Sequence, residues 1–113
     1  MSSPDGATER FVSEPLVPDA GTADPAGMAR GEPGLPGAFT WRGMRYAVAG
    51  VLETWKTSRR EGGSPTGELY LRRHWYRIVT TCGRVMTVYC QRQAGDARGA
   101  KRRWWLYTIQ EER

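Results

Sequence analysis

Apolar and polar residues alternate on both sides of Arg42-Gly43, from Phe39 to Val48. Folding this stretch at a two-residue turn brings Trp41 opposite Met44 and Phe39 opposite Tyr46. Four large apolar side chains then share one face. Thr40, Arg45 and Ala47 fall on the other face, as in a half-solvated antiparallel sheet. The pattern predicts a hairpin.

A second hairpin is predicted further on. Trp75 to Thr81 runs in and Arg84 to Cys90 runs back, both rich in β-branched and aromatic residues. With Cys82-Gly83 as a two-residue turn, one face holds Tyr76, Ile78, Thr80, Val85, Thr87 and Tyr89. The other holds Trp75, Arg77, Val79, Met86, Val88 and Cys90. Neither face is plainly polar, so these strands are expected to be central and covered on both sides. A rolled sheet or small barrel does that; a flat open sheet does not.

Between the hairpins, Val48 to Trp55 continues the third strand, with a bend expected at Gly50. Lys56 to Gly67 reads as a basic, flexible loop, and Glu68 to His74 fits either a helical turn or a strand lead-in. Gln93 to Ala100 reads as a second polar loop before a last strand over Lys101 to Ile109. The fold class is therefore mainly all-β: a small, strongly rolled antiparallel sheet or barrel of about five to six strands. Trp41, Tyr46, Val48, Ile78, Val88 and Trp105 are its expected common core.

Residues 1–37 break this pattern. They carry six of the seven prolines, one aromatic (Phe11), and six acids against Arg10 and Arg30, a net charge of −4. Only residues 10–17, Arg-Phe-Val-Ser-Glu-Pro-Leu-Val, read as a strand. It is expected at an edge, because Pro15 cannot donate to a central ladder. Residues 19–37 are expected to be disordered. Residues 38–113 hold all five Trp and all five Tyr, with 15 Lys+Arg against 6 Asp+Glu, a net charge of +9. The expected organisation is thus an acidic Pro/Gly-rich arm, 1–37, before a basic aromatic-rich β-domain, 38–113. No apolar run suggests a signal peptide or membrane span, which points to a cytoplasmic protein without a membrane partner.

Candidate catalytic chemistry is sparse. His74 is the only histidine, and the predicted hairpin keeps Cys82 and Cys90 too far apart for a disulfide or a shared zinc ion. Cys82 stands near the turn and His74 at the far strand end, which disfavours a nucleophile–base pair. The carboxylates Glu53, Glu61, Glu68, Asp96, Glu111 and Glu112 lack metal-binding or glycosidase spacing, and Gly62-Gly63 leads into no phosphate-binding signature. A non-enzymatic protein without cofactor or metal is expected.

What remains is arginine interleaved with aromatics. Arg59-Arg60, Arg72-Arg73 and Arg102-Arg103 stand beside Trp55, Trp75-Tyr76 and Trp104-Trp105. Guanidinium for phosphate and a ring face for each unstacked base are what a single-stranded nucleic-acid binder needs. Arg59, Arg60, Arg72, Arg73, Arg102, Arg103 and Trp104 are therefore the candidate nucleic-acid-binding residues. The plainer alternative is that the rings pack a small core while the arginines keep it soluble.

The ordered series Trp41-Arg42-Gly43-x-Arg45-Tyr46-x-Val48, Trp55, Trp75-Tyr76-Arg77-Ile78-Val79, Gly83 and Trp105-Leu106-Tyr107-x-Ile109 resembles a small bacterial domain family of unknown function, common in actinobacteria. It is also similar to a module closing the polypeptide of Y-family polymerase-like proteins in bacterial mutagenesis and damage-tolerance cassettes. The resemblance covers roughly residues 9–110. It implies a DNA-repair context without polymerase chemistry, because the polymerase body and its acidic metal-binding residues have no counterpart here. Two expectations stand side by side. One is a nucleic-acid-binding β-module, holding single-stranded DNA, accessory to DNA repair or damage tolerance. The other is an adaptor whose sheet edge or aromatic patch docks a repair or replication protein. The acidic arm, folded over the basic surface, would compete with nucleic acid in the first.

Overall fold

Six antiparallel strands close into a barrel, each paired with its neighbours in sequence and the last with the first. The computed structural model describes residues 8–31, 33–60, 70–93 and 103–111. The elements are β1 (Thr8–Pro18), α1 (Pro25–Ala29), β2 (Ala38–Trp41), β3 (Met44–Arg60), β4 (Tyr70–Thr80), β5 (Val85–Gln93) and β6 (Arg103–Glu111). The described residues are all-β apart from the short α1. Among the described residues, no helix is long and apolar enough to cross a membrane.

The first hairpin has the predicted register, with Trp41 opposite Met44 and Phe39 opposite Tyr46. Its turn places Arg42 at φ 52° and Gly43 at φ 75°, the left-handed geometry that matches strand twist. An arginine in that region is strained. It is held by its neighbours: the guanidinium stands 4.8 Å from the Trp41 ring centroid and forms a bidentate pair with Glu14. The same Glu14 carboxylate accepts the Trp41 indole N–H at 2.9 Å. Glu14 thus fastens the hairpin tip to β1.

The second hairpin differs from expectation by one residue. Val79 pairs with Val85, Ile78 with Met86, Tyr76 with Val88 and Trp75 with Tyr89. Its loop is three residues, Thr81 to Gly83. The Thr80 N–H donates to the Arg84 carbonyl at 2.8 Å, and the Gly83 N–H donates to the Thr80 carbonyl at 2.9 Å. Gly83 takes φ 89°, the left-handed residue that ends such a loop. Because side chains alternate along a strand, this slip exchanges the faces of one arm relative to the other. Tyr76, Ile78, Met86, Val88 and Cys90 point into the barrel with Trp104, Leu106 and Ile109. Trp75 and Tyr89 lie together on the outside.

Of the six expected core residues, Trp41, Ile78 and Val88 are buried, and Tyr46 and Val48 pack against them while partly exposed. Trp105 is the exception. Strand alternation turns its neighbours Trp104 and Leu106 inward and leaves Trp105 on the outer face. Neither cysteine is in a disulfide; Cys90 is buried in the core and Cys82 is exposed at the turn.

Strand β3 runs on through Lys56 to Arg60, where a flexible loop was expected, because β4 begins at Tyr70 and pairs with it in unbroken register from Trp55 onward. Tyr70 to His74 is accordingly strand. The rest of the two expected loops, 61–67 and 94–100, lies outside the described residues, as do Glu68 and Leu69. The expected bend at Gly50 coincides with irregularities between Val48 and Gly50 and between Val51 and Glu53. Extra residues on one strand raise the local twist, which lets a long strand curl round a small barrel.

Strand β1 closes the ring only at its C-terminal end, and along Thr8–Leu16 it has a partner strand on one side alone among the described residues, as the expected edge would. It pairs with β6 from Thr8 to Leu16 and with β2 at Val17 and Pro18. Pro15 is accommodated because its position pairs only with Trp105 of β6, leaving its donor-free nitrogen without a second strand to serve. In the stretch 19–37, expected to be disordered, the described residues instead form a ribbon prolonging β1 and β2. The Asp24 N–H donates to Leu35, and Gly37 N–H to Thr22. At its tip, Asp24 caps α1 by accepting from the Ala26 N–H at 3.1 Å, with Pro25 opening the helix. Leu35 packs against the core. These local hydrogen bonds do what apolar periodicity does elsewhere, which is why the pattern did not reveal them.

Glu14 carries a pH-dependent consequence. Hydrogen bonds from Arg42, first, and from the Trp41 indole hold its carboxyl below the ordinary 4.5. A carboxyl depressed on folding adds stability above its unfolded value, and that stability is lost as pH falls through the lower folded value. Urea midpoints of wild type and Glu14→Gln, measured from neutral pH down to about pH 3, should therefore converge on acidification. Parallel acid limbs would mean that the pair contributes nothing.

Candidate nucleic-acid interface

The register aligns one aromatic residue from each of four successive strands on the outer face. Trp55 pairs with Trp75, Trp75 with Tyr89, and Tyr89 with Trp105. Neighbouring strands lie about 4.8 Å apart, so residues opposite one another must touch rings. Trp55 and Trp75 stack with centroids 5.7 Å apart and planes within 4°. Trp75 and Tyr89 are 4.7 Å apart, and Tyr89 and Trp105 are 6.2 Å apart and within 7° of parallel. Tyr107 sets its edge against Trp75 at 5.0 Å, and Phe11 of β1 meets Tyr107 at 5.0 Å. An aromatic strip therefore crosses the barrel wall.

The strip is not evenly exposed. Trp75 and Tyr89 are 8% and 4% exposed, covered by their neighbours and by Arg73. Trp55, Trp105 and Tyr107 are half-buried, and Phe11 is exposed. Trp75 is also anchored, its indole N–H donating to Thr57 Oγ1 at 2.8 Å. The Trp105 N–H has no acceptor among the described residues. Burial pushes the Tyr89 phenol above its usual value of 10, so it stays neutral under the strip.

Arg73 lies over the middle of the strip. Its guanidinium carbon is 4.6 Å from the Tyr89 centroid and 5.9 Å from that of Trp75, and its Nε donates to Gln91 Oε1 at 3.3 Å. The cation is thus stacked and aimed by one acceptor. Register then puts Thr57, Arg73, Gln91 and Arg103 in the row next to the rings.

The seven sequence candidates separate along the same alternation. Arg73 belongs to the strip, whereas Arg72 is exposed on the opposite side of β4. Trp104 faces inward, 6% exposed, with its ring 5.7 Å from Tyr76; a base has no path to a ring held inside the closed wall. Arg59 and Arg60 end β3 opposite Leu71 and Tyr70, and Arg103 stands opposite Gln91. Their side chains, and Arg102 entirely, lie outside the described residues. Sequence reasoning missed Tyr89, Trp105 and Tyr107 as one surface with Trp75. The three-residue loop Thr81-Cys82-Gly83 is what sets Trp75 and Tyr89 on a common face, and its sequence does not distinguish it from a two-residue turn at Cys82-Gly83.

Acids of the N-terminal segment meet other arginines. Asp19 pairs with Arg45 at 2.6 Å, Glu14 with Arg42, and Glu9 lies 3.8 Å from Arg77 while accepting from Thr108 Oγ1 at 2.9 Å. None of these three pairs involves Arg73, so among the described residues the strip keeps its cation. Among the described residues no three of His, Cys, Asp and Glu gather as a metal-holding group. Neither a curated protein nor a solved structure matches the chain. A family model described as a domain of unknown function (DUF6504) matches residues 1–111, and the chain belongs to that family.

Proposed function

We propose that this protein is a non-enzymatic, cytoplasmic nucleic-acid-binding β-module, holding single-stranded DNA and accessory to DNA repair or damage tolerance. The observation that carries this reading is the outer strip Trp55–Trp75–Tyr89–Trp105 with the Arg73 guanidinium set into it. Ring faces accept any unstacked base, and arginines track the backbone that joins the bases. The +9 charge of residues 38–113 supplies the attraction. The repair context rests on the resemblance to the module of Y-family polymerase-like proteins.

Titration of a labelled oligothymidylate at several salt concentrations tests the reading. Micromolar-range binding is expected near 50 mM salt, with affinity falling log-linearly as salt rises, by a slope of about 0.7 for each phosphate neutralised on a single strand. Replacing Arg59, Arg60, Arg102 and Arg103 together with Gln should flatten that slope without unfolding the protein. Arg59 and Arg60 end β3 and Arg103 opens β6, and surface substitutions normally cost within about 0.5 kcal/mol. Absence of salt-sensitive binding by the wild type would overturn the proposal. It would leave the adaptor, docking a repair or replication protein on the same strip.

A further inference from the structure

We infer that Arg73 is itself the central stacking platform of the strip, so that bound nucleic acid runs across strands β3 to β6 instead of along any one of them. The inference rests on the nucleic-acid reading above and assigns parts within it.

Trp75 and Tyr89 occupy the middle of the row, yet they are almost fully covered. Part of their cover is the Arg73 guanidinium, 4.6 Å from the Tyr89 centroid. The middle of the row therefore presents a planar cation. A guanidinium plane stacks on bases as an aromatic ring does, and keeps N–H groups at its rim for phosphate. To either side the half-buried rings of Trp55 and Trp105 offer faces of their own.

Ring, guanidinium and ring form three platforms in one line. The line crosses three inter-strand gaps of about 4.8 Å each, or roughly 14 Å. Open β-sheets with surface aromatics stack about two or three bases over such a span. Trp75, with its N–H fixed on Thr57, and the buried Tyr89 are the scaffold over which the Arg73 guanidinium sits. Gln91 Oε1 sets the direction of the guanidinium in its plane.

Arg73→Lys separates stacking from charge. Lysine keeps the cation but has no plane. Binding of a labelled ten-residue oligothymidylate should weaken about tenfold, the worth of one stacked base, with the salt slope unchanged. Arg73→Gln should weaken binding and also make the slope shallower. Wild-type affinity in Arg73→Lys would overturn the inference, because Arg73 would then act as a point charge. Trp55→Leu, at an outer end of the row, should also weaken binding about tenfold, and unchanged affinity there would overturn the cross-strand path. Affinity per nucleotide should stop rising beyond about three or four residues in a length series; a steady rise to ten would place the strand elsewhere. Melting temperatures of each variant confirm that folded proteins are compared. Failure of the wild type to bind any oligonucleotide would defeat the proposed function itself, whereas a binding wild type with indifferent variants defeats only this inference.

Discussion

Trp41→Ala should lower the melting temperature by about 15–30 °C, the shift that a loss of roughly 3–5 kcal/mol produces in a domain of this size. Trp41 is 8% exposed and belongs to the core beside Phe39 and Leu16. Truncation removes an indole's worth of contacts and leaves a cavity that the surrounding barrel strands can only partly fill. It also removes the N–H that Glu14 accepts and the ring on which Arg42 rests, so a strained turn residue loses part of its support. Trp41→Phe keeps most of the apolar bulk and should cause a clearly smaller drop, because Glu14 retains its pair with Arg42. A Trp41→Ala protein melting within a few degrees of wild type would show that the first hairpin contributes little to the core.

The two hairpins explain what was legible in the sequence and what was not. At Arg42-Gly43 the alternation of apolar residues is strict on both sides, so only one register buries Phe39, Trp41 and Tyr46 together. Around Cys82-Gly83 both faces carry large apolar residues, and a register slipped by one residue looks equally well buried. The loop decides it, through the left-handed Gly83, and two- and three-residue loops ending in glycine look alike in sequence. That single residue hid the candidate site, since it moves Tyr89 to the same face as Trp75. The arginine doublets misled for a related reason. Consecutive residues of a strand point to opposite faces, so Arg72-Arg73 and Trp104-Trp105 each contribute one member to the strip and one elsewhere. Further irregularities, between Phe11 and Glu14 and between Thr87 and Val88, shift the alternation without any periodic signature. The all-β class survived these slips because it depends on composition and periodicity over whole strands, whereas a site depends on parity at particular positions.

A protein beginning at Ala38, where composition changes, should fail to fold by itself and show no cooperative thermal transition. The acidic, proline-rich segment reads as an appendage, yet β1 is the strand that closes the ring, joining β6 along Thr8 to Leu16 and β2 at Val17 and Pro18. Its removal takes the buried Leu16 from the core, a loss of about 2–5 kcal/mol even as a simple truncation to Ala. It further strips the Glu14 clamp from the first hairpin and uncovers the hydrogen-bonding edges of β2 and β6. Together these losses match the whole stability expected of a small domain, about 5–15 kcal/mol, and exposed edges invite pairing between chains. Because β1 joins the rest of the barrel by defined pairing, a synthetic peptide covering residues 8–37 should restore a folded complex when mixed with the truncated protein. Recovery would be read as the return of near-ultraviolet circular dichroism from the packed tryptophans. A truncated protein that melts cooperatively near the wild-type temperature would instead place the structural boundary at residue 38 and make β1 dispensable.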